Sequence, residues 1–290
     1  MVYSRLATPS ATIAALDDYG LRTKKSLGQH FLVDDNVVGR ILDLAGIAAG
    51  EPIVEVGPGI GTLTDALLGA GALVTAVEYD TRLLPVLAHL AEERSGLTVV
   101  HADAVSVTAG ELAASGEHPR ALVANLPYGI AATVVLRFFE MLPSLERAIV
   151  MVQAEVAGRM AAVPGTKEYG AYTVKLRLHA RPTGRFAVSR ACFLPPPRVD
   201  SAVIRLDRDR GDLPGHVRTA AARAADAAFS QRRKTLRNSL SAGLGVSVDT
   251  VSRILATAGL DGSLRAESLD VDDYLALGNA LVEHAGAIEV

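Results

Sequence analysis

The chain predicts an α/β fold: a doubly wound, mostly parallel sheet followed by a small all-helical domain. Three observations carry this. Short apolar runs starting near Pro52, Leu73, Leu97, Ala121 and Arg147 alternate with stretches of helical period. The first run opens directly into Gly57, Gly59 and Gly61, the composition of a strand–loop–helix turn that admits a ligand close to the backbone. Beyond a polar, Gly- and Pro-bearing stretch at 208–215 the pattern becomes wholly helical.

With 290 residues the chain has room for one large domain and a small one. The formal charge of −3 does not mark a nucleic-acid binder, so any basic surface must be local. Cys192 is the only cysteine, which excludes a disulfide framework and a multi-cysteine zinc site, and no metal is expected. No signal peptide is visible, because Asp17 and Asp18 interrupt the apolar run of the N-terminus. No apolar stretch approaches the ~18 residues of a membrane span, so a soluble, cytoplasmic protein is expected.

Taken in order, Thr8 and Pro9 begin a helix that Gly20 can end. The segment 22–32 holds three cations and no acid, and its default reading is a solvated loop. Asp34 or Asp35 caps the next helix, which turns Val37, Val38, Ile41, Leu42 and Leu44 toward a core. The strand at Pro52 and its glycine loop follow, with spacing G-x-G-x-G rather than the dinucleotide form. The strand over 73–77 ends in Glu78, close to the ~20-residue offset at which an acid accepts from ribose hydroxyls. The strand over 97–100 leads to Asp103, an acceptor for an adenine amino group or a turn cap. The strand over 121–124 ends in Asn125-Leu126-Pro127-Tyr128.

That tetrapeptide suits a planar amine. The Asn125 amide and the Leu126 carbonyl offer two acceptors for an exocyclic NH2, Pro127 removes a competing donor, and Tyr128 can stack on a base. Four strands thus bring glycines, Glu78, Asp103 and Asn125 to one edge of the sheet, where open α/β folds bind ligands. A fifth strand over 147–152 leads into a helix through Met160 and a loop at 164–170. Alternation predicts a sixth strand over 171–178, and a seventh over 199–206 follows the stiff, extended 193–197. In the C-terminal domain, 229–240 reads as a helix with Phe229, Leu236 and Leu240 toward the core and cations outward. Two more helices are expected over 249–260 and 270–283.

The motifs Lys25-Ser-Leu-Gly-Gln-His-Phe-Leu, Glu55-Val-Gly-Pro-Gly-Ile-Gly-Thr-Leu-Thr, Asn125-Leu-Pro-Tyr, Phe193-Leu-Pro-Pro-Pro-Arg-Val-Asp-Ser and Phe229-Ser-Gln-Arg-Arg-Lys-Thr-Leu-Arg-Asn together resemble one family. It is the small-subunit (16S) ribosomal RNA adenine dimethyltransferases of the kasugamycin-resistance type, and the similarity runs from about Arg22 to about Leu277. The resemblance implies a Rossmann-like class I S-adenosylmethionine methyltransferase sheet of seven strands. It divides the chain into an N-terminal extension (1–21), a catalytic domain (22–208) and a helical RNA-binding domain (209–290).

Carried over residue by residue, His30, Leu32, Gly57, Gly59, Glu78, Asp103 and Asn125 would hold S-adenosylmethionine. Asn125, Leu126, Pro127 and Tyr128 would form the catalytic turn, with Tyr128 and Phe193 sandwiching the target adenine. Lys24, Lys25, Arg232, Arg233, Lys234 and Arg237 would bind RNA. The implied substrate is the rRNA of an immature small subunit, acted on by a monomer without protein partner or membrane. His30 stands where many relatives have asparagine, Ala154 where lysine is frequent, and Ala171-Tyr-Thr replaces a commoner Leu-Ser pair.

Overall fold

The computed structural model describes residues 2–21, 30–113, 116–209 and 212–284. Helix α1 (Pro9–Asp18) starts where the Thr8 hydroxyl accepts the Ala11 N–H at 3.2 Å, with Pro9 in its first turn. After the two-residue strand β1 (Phe31–Leu32), Asp34 caps α2 (Asp35–Ala45) by accepting the N–H groups of Asn36 and Val37. The neighbouring Asp35 carboxylate instead accepts the backbone N–H groups of Tyr3 and Ser4, and so ties the N-terminal segment to α2.

The chain then alternates as expected. Strand β2 (Pro52–Val56), α3 (Thr62–Gly69), β3 (Leu73–Glu78), α4 (Leu84–Glu93) and β4 (Leu97–His101) form its first half. The one-turn α5 (Ala109–Leu112), β5 (Ala121–Asn125), α6 (Ala131–Met141), β6 (Arg147–Gln153) and α7 (Ala154–Ala161) form its second. Strands β2 and β5 are buried along nearly their whole length, as befits central strands covered on both faces.

Downstream, the structure corrects two expectations. The run read as a sixth strand is helix α8 (Ala171–Arg177). Its alternating Val174 and Leu176 fit either period over so short a span, and local polar groups decide in favour of the helix. The Thr173 hydroxyl accepts the Gly170 N–H at 3.3 Å and donates to the Arg159 carbonyl at 2.9 Å. The strand lies one step later, as β7 (Ala180–Val188), where Pro182 and Gly184 disguise it. Both are tolerated because β7 is an edge strand, and a Cβ on Gly184 would come within 2.7 Å of Leu44. Strand β8 (Phe193–Leu194) pairs antiparallel with β1, Leu32 opposite Phe193, and β9 (Ser201–Arg208) completes the strands.

The main sheet has seven strands in the order β4-β3-β2-β5-β6-β9-β7. The pairs β4-β3, β3-β2, β2-β5 and β5-β6 are parallel, and β9 runs antiparallel to β6. From β2 the chain builds outward to β4, then crosses back to β5 and continues the other way. The crevice beyond the carboxyl ends of β2 and β5 is therefore the topological switch point at which such sheets bind ligands. On one face of the sheet Ile53, Val74, Val123, Ile149 and Val203 form a continuous apolar surface, closed by Val38 and Ile41 of α2 and Leu67 of α3. A smaller cluster joins Leu16 of α1 to Phe31, Ile60, Leu83 and Val86.

The helical residues end in α9 (Gly215–Phe229), α10 (Leu236–Leu244), α11 (Val248–Ala258) and α12 (Val271–Glu283). Here the second correction falls: 229–240 is not one helix, because α9 stops at Phe229 and α10 begins after Thr235. The intervening residues are polar and offer no stripe to bury. The freed N–H groups at the start of α10 find the carbonyls of a neighbouring loop, Leu236 donating to Leu264 at 2.7 Å and Arg237 to Gly262 at 3.1 Å.

By density of contacts the chain forms two units, and Gly158–Arg181 belongs with the residues from Asp209 onward rather than with the sheet. Within that second unit Tyr169, Phe229 and Tyr274 form an aromatic series at 6.0 and 6.2 Å, and the Tyr169 hydroxyl donates to Leu269. Among the described residues no helix is long and apolar enough to cross a membrane.

Candidate functional site

Four consecutive loops leave the carboxyl ends of β2, β3, β4 and β5 and enclose a cavity of about 640 Å³. Gly57 turns the chain out of β2 at φ +69°, its N–H donating to the Val77 carbonyl at 2.9 Å. A side chain there would press on Pro127 at 3.3 Å, and one on Gly59 would meet the Phe31 ring at 3.1 Å. Bare backbone at these two positions is what keeps the cavity open toward the strand ends.

Glu78 closes the next side. Its carboxylate accepts the Asp80 N–H at 2.7 Å and the Gly59 N–H at 3.4 Å, which aims it across the glycine loop. Burial pushes its pKa up, and the backbone donors at Asp80, Gly59 and Tyr79 oppose the shift. Asp103, exposed at the rim after β4, receives the Val105 N–H at 2.9 Å, the turn-capping contact that its position allowed, and still borders the cavity.

On the opposite wall, Asn125 ends β5 and its Nδ2 donates to the His30 carbonyl at 3.2 Å. A carbonyl can only accept, so this contact sets the amide: the NH2 is spent on His30, and Oδ1 is left as an acceptor. Tyr128 follows the turn, its hydroxyl 2.7 Å from the Ser201 hydroxyl at the start of β9. Burial raises the Tyr128 pKa, against the opposing hydrogen bond to Ser201. The His30 ring lies 5.8 Å from that of Tyr128 at 25°, and its Nδ1 is 2.8 Å from the Pro195 carbonyl.

The structure thus gathers His30, Leu32, Gly57, Gly59, Glu78, Asp103, Asn125, Leu126, Pro127 and Tyr128 around one cavity. Phe193 is not among them. It is 3% exposed and packs with Leu32, its partner across the β1–β8 pair. The reason is the β1–β8 pairing, which the sequence did not announce because each strand is only two residues long. Lys24 and Lys25 lie outside the described residues. Arg232, Arg233 and Lys234 are exposed on the turn between α9 and α10, and Arg237 is exposed in the first turn of α10. Arg232 also donates to the carbonyls of Lys167 and Tyr169 and lies 3.8 Å from Glu267.

Sequence reasoning missed three polar groups at the site. Glu55 is 1% exposed beneath the cavity, and its Oε2 accepts the Thr64 hydroxyl at 2.6 Å. Burial pushes its pKa up to about 8, with the Thr64 hydrogen bond opposing and Glu78 adding repulsion. Thr62 borders the same wall, and Ser201 holds Tyr128. Glu55 and Thr62 sit in the glycine motif and Ser201 ends the proline motif, so the signal lay within segments already singled out.

The cavity fits S-adenosylmethionine by its polar lining. Acceptors stand at Glu78 and Asp103 for an adenosine, and glycines flank the crevice where a Cβ would intrude. A volume of about 640 Å³ is in the range of small-molecule sites.

Residues 20–281 match the family described as Ribosomal RNA adenine dimethylase. The chain is 46% identical over 281 residues to Ribosomal RNA small subunit methyltransferase A of Leifsonia xyli subsp. xyli (strain CTCB07), an alignment covering 94% of this chain and 98% of that one. In fold it is similar to a dimethyladenosine transferase from Plasmodium falciparum, with TM-score 0.72, 24% identity, and 89% and 98% of the two chains covered. It is also similar to the 23S rRNA methyltransferase ErmE, with TM-score 0.63, 28% identity, and 87% and 99% covered.

Proposed function

The chain belongs to the ribosomal RNA adenine dimethylase family, and from that premise we propose that it methylates N6 of two adjacent adenines near the 3′ end of small-subunit rRNA, giving N6,N6-dimethyladenosines. S-adenosylmethionine, when bound, supplies an electrophilic methyl group. The immature small subunit is the proposed substrate, a single chain the acting unit, and the cytoplasm the compartment.

One observation carries the chemical reading: the Asn125 amide is turned by its bond to the His30 carbonyl so that Oδ1 is available as an acceptor at the cavity. The amino nitrogen of adenine is a poor nucleophile because its lone pair is delocalised into the ring. Acceptance of its N–H groups by Asn125 Oδ1 and the Leu126 carbonyl favours a pyramidal nitrogen with a directed lone pair. That is catalysis by orientation and electrostatics. No side chain need remove a proton before attack, since the nitrogen becomes acidic as it is alkylated.

Tyr128 offers its ring to the base, and the Ser201 contact holds the hydroxyl end of that side chain in place. Unstacking the target costs a few kcal/mol, which stacking on Tyr128 partly offsets. Phe193, paired beside Leu32 and in the same apolar cluster, holds it in register. Glu78 and Asp103 hold the adenosine of the cofactor, with His30, Leu32, Gly57 and Gly59 shaping the pocket. The sheet-bearing unit is the catalytic part, and Lys24, Lys25, Arg233, Lys234 and Arg237 meet the RNA phosphates, with Arg232 divided between RNA and the carbonyls of Lys167 and Tyr169.

The test is transfer of labelled methyl groups to small subunits that lack their 3′-end dimethyladenosines, with large subunits alongside. Label approaching four methyl groups per small-subunit particle (about two on each adenine) is the expected result. Label on the large subunit instead would move the chain's substrate to the other rRNA.

A further inference from the structure

Thr62 is the first residue of α3 and borders the cavity. It is 5% exposed, yet its hydroxyl has no hydrogen-bond partner among the described residues. Its neighbour on the helix, Thr64, has spent its own hydroxyl on Glu55 at 2.6 Å. A buried hydroxyl left unpaired beside a cavity is uncommon in a native structure, because nothing offsets its loss of water.

Two further features share that wall. Gly61 caps α3 without a side-chain hydrogen bond, so the first N–H groups of an eight-residue helix are free of a capping oxygen. Below lies Glu55, a buried carboxyl with one oxygen already engaged by Thr64. A hydroxyl donor, helix N–H groups and a carboxyl, all within one wall, complement a zwitterionic α-amino acid: its carboxylate at Thr62 and the helix, its ammonium at Glu55.

The order of the strands says which part of a ligand lies there. Asp103 follows β4, Glu78 ends β3, Glu55 lies in β2 with Thr62 just beyond, and Asn125 ends β5. A ligand with its adenosine at Asp103 and Glu78 lays its amino-acid arm on the β2 wall, next to the reacting site at Asn125. Resting on the cofactor reading above, we propose that Thr62 is a positioning residue that donates a hydrogen bond to the α-carboxylate of the cofactor's amino-acid arm. The cofactor's reacting sulfur is then set by two anchors, the adenosine acceptors on one side and Thr62 with Glu55 on the other.

Two ligands separate the anchors. S-adenosylhomocysteine carries the amino-acid arm; 5′-methylthioadenosine shares the adenosine and the thioether and lacks the arm. Calorimetry of both on the wild-type chain, Thr62→Val and Thr62→Ser is the experiment. Valine keeps the branched shape and removes no internal hydrogen bond, and methylthioadenosine binding reports that the pocket is intact.

Thr62→Val is expected to weaken S-adenosylhomocysteine by roughly 10-fold or more, as for a hydrogen bond to a charged group, and to leave methylthioadenosine within about twofold. Thr62→Ser is expected to restore most of the loss. Unchanged S-adenosylhomocysteine affinity in Thr62→Val, or an equal loss for both ligands, would overturn the role of Thr62 alone. A wild-type chain that bound neither ligand would overturn the cofactor reading, and this proposal with it.

Discussion

The hydroxyls of Tyr128 and Ser201 lie 2.7 Å apart, although 73 positions separate them in the chain. The contact joins the turn after β5 to the first residue of β9, and Ser201 is fully buried. It pins the hydroxyl end of the side chain, and with it the direction in which the ring projects from the turn. Ser201→Ala is therefore expected to lower turnover about 5-fold, the worth of one ordinary hydrogen bond, with cofactor affinity unchanged. Tyr128→Phe should cost about as much, and the double variant little more, because both remove the same contact. Fully additive losses in single-turnover kinetics would show that the pair does not act as a unit.

Asn125→Ala removes the acceptor that the His30 carbonyl orients. Turnover is expected to fall by roughly 10²–10³, the usual loss for a preorganised polar contact of the transition state, with only a modest change in cofactor affinity. Glu78→Ala should do the reverse, weakening cofactor binding first. Near-normal turnover of the Asn125 variant, or unchanged affinity of the Glu78 variant by calorimetry, would count against these roles.

Glu55 ties stability to pH. Its ordinary pKa of 4.5 is raised by burial to about 8 in the folded chain. Below pH 4.5 the carboxyl is protonated folded or unfolded and contributes no slope. Between the two values only the unfolded chain releases the proton, so stability falls by roughly 1.4 kcal/mol per pH unit from this group. Above about 8 the folded carboxyl ionises too and the slope disappears. Glu55→Gln lacks the transition. Its stability relative to wild type, from urea unfolding across that range, should rise with pH and then level off; a constant difference would place Glu55 in a wetter setting.

The N-terminal helix bears on the site through Leu16, which is 7% exposed and shares a cluster with Phe31 and Ile60. Phe31 is the ring against which Gly59 closes. Leu16→Ala should cost about 2–4 kcal/mol of stability and, through the loosened Phe31, weaken cofactor binding several-fold. Wild-type affinity in a destabilised variant would make α1 a structural element only.

The cations between α9 and α10 divide by their partners. Arg233 and Lys234 are exposed, whereas Arg232 is bonded to two carbonyls and sits near Glu267. Reversing Arg233 and Lys234 together should lower the slope of log affinity for rRNA against log salt by roughly 1.5–2, with little change in Tm. Arg232→Ala should lower Tm as well. An unaltered salt slope would reduce the cluster to a solvated turn.

Local chemistry was enough for much of this molecule. The caps at Thr8 and Asp34, the glycine turn at Gly57, and the strands ending in Glu78 and Asn125 follow from residues within a few positions of one another, so their structure was legible in the sequence. The motifs also carried the family, and with it the cofactor. Only the tertiary structure settled what depends on distant partners. Ala171–Arg177 is a helix because Thr173 meets the Arg159 carbonyl, while Ala180–Val188 becomes a strand despite its proline because the sheet leaves an edge open to it. Phe193 turns into the core because Leu32, far away in the chain, pairs beside it. The buried carboxyl of Glu55 and the unpaired hydroxyl of Thr62 acquire their character from burial, and burial is a property of the assembled fold, not of any stretch of residues.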